Sequence, residues 1–171
     1  MKLELKKIKI SKSQSQETIA FTGELWVSGE KAALLENAGR GGANRIYPFP
    51  ANDENKLKLV REANAYCKTL PPVEYGEGVA VNLPMDLEFW ISLEVGNIQT
   101  QQQIEKDTKK GIVIGNPKEL ETYRILKLPG NIEKILKLPN GAEQLKNIIK
   151  KIKLNPGEEI LNKNLPEGLL K

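Results

Sequence analysis

The sequence predicts an α+β fold. Period-2 alternation of apolar and polar residues dominates positions 1–50, helical periodicity takes over across 51–110, and a short strand pair plus one amphipathic helix follow across 111–154. Strands and helices are therefore segregated along the chain instead of alternating, which argues against a parallel α/β sheet.

Each element has its own signal. In residues 2–10, Leu3, Leu5, Ile8 and Ile10 are apolar among lysines, and the phase slips once between Leu5 and Ile8, as a bulge requires. SKSQSQ at 11–16 reads as a polar turn. In residues 17–27, Ile19, Phe21, Gly23, Leu25 and Val27 share one face, and Thr22, Glu24 and Trp26 the other. Ser28-Gly29-Glu30 turns the chain into a returning strand over 31–36, giving an antiparallel meander. A short fourth strand over 46–49 is confined to an edge by Pro48.

A helix is expected over 52–70, capped by Asn52 or Asp53, with an apolar stripe of Leu57, Val60, Ala63, Cys67 and Leu70, and ended by Pro71-Pro72. The connection at 73–83 contains a candidate short strand over 79–83. Pro84 suits the start of a second helix carrying Leu87, Phe89, Trp90, Leu93 and Val95, broken at Gly96-Asn97 before a polar helix over 98–109. Strands are expected over 111–115 and 121–128. Leu145, Ile148, Ile149 and Ile152 give a helix over 142–153 one apolar face. The segment Ile125-Leu126-Lys127-Leu128-Pro129 is echoed ten residues later, too briefly for a solenoid. Residues 1–154 are expected to form one domain, and 155–171, rich in Asn, Pro and Gly, a poorly ordered tail.

Composition removes several chemistries. The 171 residues include no histidine, so histidine-dependent triads, bases and metal sites are absent. The single cysteine, Cys67, has no partner for an internal disulfide and reads as a small buried hydrophobe. The lysine-interrupted start resembles neither a signal peptide nor a membrane span, so a cytoplasmic protein without membrane contact is expected. Net charge is +4, and it is unevenly placed: 8 basic against 5 acidic residues in 1–50, 7 against 10 in 51–110, and 11 against 7 in 111–171.

Only four of the 26 basic residues are arginines, and two of them, Arg40 and Arg45, lie in the loop 37–45. Gly39, Gly41 and Gly42 allow that loop positive φ angles and inward-facing N–H groups, a nest for an anion. Arg40 and Arg45 would neutralise phosphate, Tyr47 would stack on a ring, and Asn37 or Asn44 would hydrogen-bond. The loop matches neither the P-loop nor the dinucleotide fingerprint. A plain connector with solvated arginines, or a contact for a partner protein, are its competing readings. Lys146, Lys150, Lys151 and Lys153 read first as a solvated helix face and second as a polyanion surface. The pairs Glu88 and Glu94, or Glu74 and Glu77, read as surface charge before acid–base machinery, and Trp26, Phe89 and Trp90 as core.

Four segments in order carry a resemblance: SQETIAF at 15–21, LWVSGEK at 25–31, ENAGRGGAN at 36–44 and AYCKTLPP at 65–72. The chain resembles a family of small phage- and prophage-encoded proteins, well over residues 1–72 and loosely over 84–128. Ala38 stands where that family usually has Asp, and Arg40 where it often has His, which makes the loop less acidic and less metal-capable. The resemblance implies a compact, non-catalytic protein of the host cytoplasm that blocks host machinery. The expected function is therefore sequestration of a small phosphorylated, nucleotide-derived signal, cyclic ones included, by a homodimer or larger assembly, with no cofactor and no metal. The alternatives are an inhibitor masking a host defence or replication enzyme and, behind it, a nucleic-acid accessory protein.

Overall fold

The computed structural model describes residues 1–75 and 81–169. It has the α+β architecture that the patterning predicts, and it divides into two compact units, 1–96 and 97–171.

The first unit is built on a four-stranded antiparallel sheet in the order β1 (Leu3–Ile10), β2 (Phe21–Val27), β3 (Glu30–Asn37), β4 (Arg45–Pro48). The phase slip in β1 is a bulge: Lys6 pairs with Glu24 and Lys9 with Thr22, and Lys7 between them has φ 54°. The β2–β3 turn is a two-residue hairpin whose φ is positive at both Ser28 and Gly29, matching the twist of the flanking strands. β2 begins at Phe21, four residues later than the alternation suggests. The preceding residues instead form a hydrogen-bonded connection in which the Ser15 hydroxyl donates to Ser11 O and accepts from Ala20 N–H.

One sheet face is apolar. Leu25, Val27, Ala33 and Leu35 on that face pack with Ala63 and Cys67 of α1 (Glu54–Cys67) and with Leu87, Ile91 and Val95 of α2 (Leu87–Asp107). Asp53 caps α1 by accepting the N–H groups of Asn55 and Lys56. Leu57, expected on the apolar stripe, is exposed, while Ala63 and Cys67 are fully buried and Leu59 and Val60 pack partly buried against the same core. α2 runs through Gly96-Asn97 without a break. A helical glycine costs about 1 kcal/mol relative to alanine, and burial of Ile91 and Val95 offsets it. The short strands β5 (Val73–Tyr75) and β6 (Val81–Leu83) pair between the helices. Val79 and Ala80, expected in the same strand as Val81, lie outside the described residues.

In the second unit, β7 (Gly111–Asn116) lies between β8 (Glu119–Lys127) and β9 (Glu159–Ile160), all antiparallel. Ile112 and Ile114 of β7 pack with Ile132 and Ile135 of α3 (Ile132–Leu136) and Leu145 of α4 (Gly141–Lys150). The expected loose tail is integral to this core. It supplies β9 and the buried residues Asn162, Leu165 and Leu169. The repeated segment adopts two structures, since Ile125 lies in β8 and Ile135 in α3. Arg124 is a structural tie: it donates to both carboxylate oxygens of Glu158 and to Lys153 O.

The other face of the first sheet carries a charged cluster. Glu24, only 7% exposed, accepts from Lys31 Nζ at 2.8 Å, Lys7 Nζ at 3.1 Å and Trp26 Nε1 at 3.1 Å. Lys6 Nζ sits 3.9 Å from the Trp26 ring centroid and Lys31 Nζ 4.3 Å from that of Phe49. Trp26 is thus a half-buried member of this face and not a core residue. The Lys31 ammonium, aided by Trp26, holds the Glu24 carboxyl down from the usual 4.5 to about 2. A depressed carboxyl stabilises the fold above its unfolded pKa, so this contribution is lost as pH falls from about 4.5 through about 2. In urea unfolding, Glu24→Gln should be less stable than the parent at neutral pH, and the gap should close across that window. Parallel stability–pH curves for the two proteins would contradict this role.

Candidate functional site

Asn37, the last residue of β3, organises the glycine loop. Its side chain is buried and makes four hydrogen bonds. Oδ1 accepts from Thr18 Oγ1 at 3.0 Å and from Gly39 N–H at 2.8 Å. Nδ2 donates to Gly42 O at 3.0 Å and to Asn44 Oδ1 at 2.9 Å. A carboxamide is suited to this position because it offers two acceptor and two donor directions on one planar group.

The glycines follow from close approach. Gly39 has φ 81°, and a Cβ there would collide with the Gln14 carbonyl oxygen and the Ala20 methyl. Its own carbonyl accepts from Gln16 N–H and Glu17 N–H at 2.9 and 3.1 Å. Gly41, also at φ 81°, donates its N–H to Thr18 Oγ1, and a Cβ there would strike the Glu17 carboxylate. The N–H groups of Gly39 and Gly41, expected to cradle phosphate, are therefore engaged within the protein, and a carboxylate packs beside Gly41. The loop is a clasp on the β1–β2 connection, with its anion nest already filled by Asn37 and Thr18.

Asn44 is a second tie. Its N–H donates to Glu88 Oε1 at 3.1 Å, and its Nδ2 donates to Glu88 O at 3.1 Å and Ser92 Oγ at 2.8 Å. Asn37 and Asn44 thus position the loop between β3 and α2. Glu88, one of the paired carboxylates considered from sequence, serves as that anchor, while Glu77 of the other pair lies outside the described residues.

The two loop arginines part company. Both are exposed, and neither forms an ion pair among the described residues. Arg45 pairs in register with Glu36 and Tyr47 with Leu34 on the charged sheet face. Arg40 instead borders a cleft of about 540 Å³ between the loop and the β1–β2 connection. Lys9, Ser11, Ser13, Gln14 and Gln16 line the same cleft, together with Glu36 and Asn37, over Ile10 and Phe21. The structure brings together Asn37 and Arg40 of the expected site, and leaves Arg45 and Tyr47 away from this cleft. Four of its other polar residues, Ser11, Ser13, Gln14 and Gln16, come from SKSQSQ, which reads as a mere turn. Its length was the available signal, because six polar residues exceed what a tight hairpin needs.

The cleft presents two cations, one carboxylate, three hydroxyls and three primary amides, a set able to hold an anion and to hydrogen-bond neighbouring hydroxyl groups. Cys67, buried and pushed up to about 11 first by burial and then by Asp86, is a protonated thiol outside this chemistry. Among the described residues, no three His, Cys, Asp or Glu groups come together as metal ligands, and no helix is long and apolar enough to cross a membrane. The chain matches no known family model, no curated protein and no solved structure.

Removing the Asn37 carboxamide should leave Thr18, Gly39 N–H and Gly42 O without their partner, a penalty of about 1–3 kcal/mol. Asn37→Ala should lower the urea midpoint accordingly and raise amide exchange at Gly39 and Gly41. Unchanged exchange at both glycines would show that another group holds the loop.

Proposed function

We propose that the protein is a non-catalytic, cytoplasmic binding protein that sequesters a small phosphorylated, nucleotide-like molecule in the cleft beside Arg40. The observation that supports this reading is the set of groups facing one concavity. Lys9 and Arg40 are cations without an ion pair among the described residues, Ser11 and Ser13 add hydroxyls, and Gln14 and Gln16 add amides. Phosphate takes the guanidinium and ammonium, because charge-assisted contacts are about twice as strong as neutral hydrogen bonds. Glu36 repels phosphate but accepts from ribose hydroxyls, which favours a nucleotide over inorganic phosphate. Capture without turnover fits a phage protein that removes a defence signal, and a homodimer or larger assembly belongs to the same proposal.

Isothermal titration against cyclic di- and trinucleotides and ADP-ribose derivatives tests it. At least one should bind, and Lys9→Glu with Arg40→Glu should weaken it by about tenfold or more, each charge-assisted contact contributing about 1.5–3 kcal/mol. The circular dichroism of the variant should be unchanged. Absence of heat with every member of the panel, from folded protein, would overturn the reading.

A second reading, an inhibitor docking on a host enzyme, is favoured by one observation. Leu34, Tyr47 and Phe49, at 37%, 45% and 43% exposure, form an apolar patch at the β4 side of the sheet. A host protein retained at high salt by the parent should be released by Tyr47→Ser with Phe49→Ser. Retention by that variant would rule out the patch as the contact.

A further inference from the structure

The second unit contains a cavity of different chemistry. It measures about 590 Å³, within the range of about 300–1,000 Å³ typical of small-molecule sites. Ile104, Pro117, Leu120 and Leu161 supply apolar walls, and Lys109 and Lys163, both exposed, belong to the same lining. Neither lysine forms an ion pair among the described residues. Glu105 is the one carboxylate in the lining, so the cationic groups outnumber it.

The walls are held from behind. Asn162, 5% exposed, donates to Thr108 O at 3.2 Å and Gly111 O at 3.0 Å and accepts from Val113 N–H at 2.7 Å. Asn164 Nδ2 donates to the same Thr108 carbonyl at 2.9 Å, and Leu161 N–H donates to Val113 O at 2.9 Å. These bonds fix the segment bearing Leu161, Lys163 and Asn164 to β7 and to Thr108, which directly follows the last turn of α2 bearing Ile104 and Glu105. A site whose lining is set before binding loses little ordering entropy when it is filled.

We infer that this cavity binds an amphiphilic carboxylate, its aliphatic body against Ile104, Leu120 and Leu161 and its anionic head at Lys109 and Lys163. Apolar walls reward removal of hydrocarbon from water. The two ammonium groups select the sign of the head, since an unpaired charge of the wrong sign costs affinity. The inference is independent of the nucleotide reading, because it concerns other residues in the other compact unit.

Decanoate, below its micelle concentration, is the probe. Titration of the full chain should show saturable binding, with decyltrimethylammonium at least tenfold weaker, a difference of about 1.4 kcal/mol. Amide shifts should centre on Ile104, Thr108, Leu161 and Asn164. Lys109→Glu with Lys163→Glu should reverse the preference towards the ammonium probe, which also shows that the variant is folded. The inference is overturned if decanoate does not bind, if the two probes bind equally, if the shifts lie elsewhere, or if charge reversal leaves decanoate affinity intact.

Discussion

A single buried carboxamide decides the shape of the glycine loop at the edge of the first unit's sheet. Asn37 leaves the sheet at the end of β3 and at once satisfies a hydroxyl, a backbone N–H, a backbone carbonyl and a second asparagine. Burying such a group is costly unless all its bonds are made, and tolerable once they are. Because they are made, the loop closes over residues 14–17, Asn44 reaches α2, and the cleft beside Arg40 acquires a fixed wall. The same bonds take up the backbone donors that an anion would have used, so the chemistry moves from the loop's interior to its rim.

What was legible in the sequence follows from the range of the interaction responsible. The meander, its bulge at Lys7 and the Asp53 cap depend on neighbours in sequence or on strict alternation, and each is visible in the residue pattern. Gly96 marks the opposite case: a local preference for breaking the helix yields to burial of Ile91 and Val95, which no local window records. The terminal residues fail for the same reason. Asn162, Leu165 and Leu169 look like loop composition until strand β7 gives them something to pack against.

The candidate site divides in the same way. Asn37 and Arg40 were identifiable because an arginine and an asparagine beside three glycines are unusual in a lysine-rich chain. Their roles were not, since only tertiary placement shows that Thr18 lies under Gly41 and that Glu88 receives Asn44. Lys9 and the serines and glutamines of 11–16 were invisible as cleft-lining groups because nothing local distinguishes a turn from the wall of a cleft. Arg45 and Tyr47 lie five or more residues along the same loop and strand, where register sets them opposite Glu36 and Leu34 and outside the lining of the cleft.

The kink at Lys7 has a consequence for how copies of this protein can meet. β1 and β4 are the two outer strands of the sheet. A left-handed residue in β1 interrupts its outward row of donors and acceptors, and Pro48 removes a donor from β4. Neither border offers an unbroken template for main-chain annealing, so growth of the sheet from one molecule into the next is suppressed. Assembly through this sheet is thereby steered to side-chain contact, where composition can specify the partner.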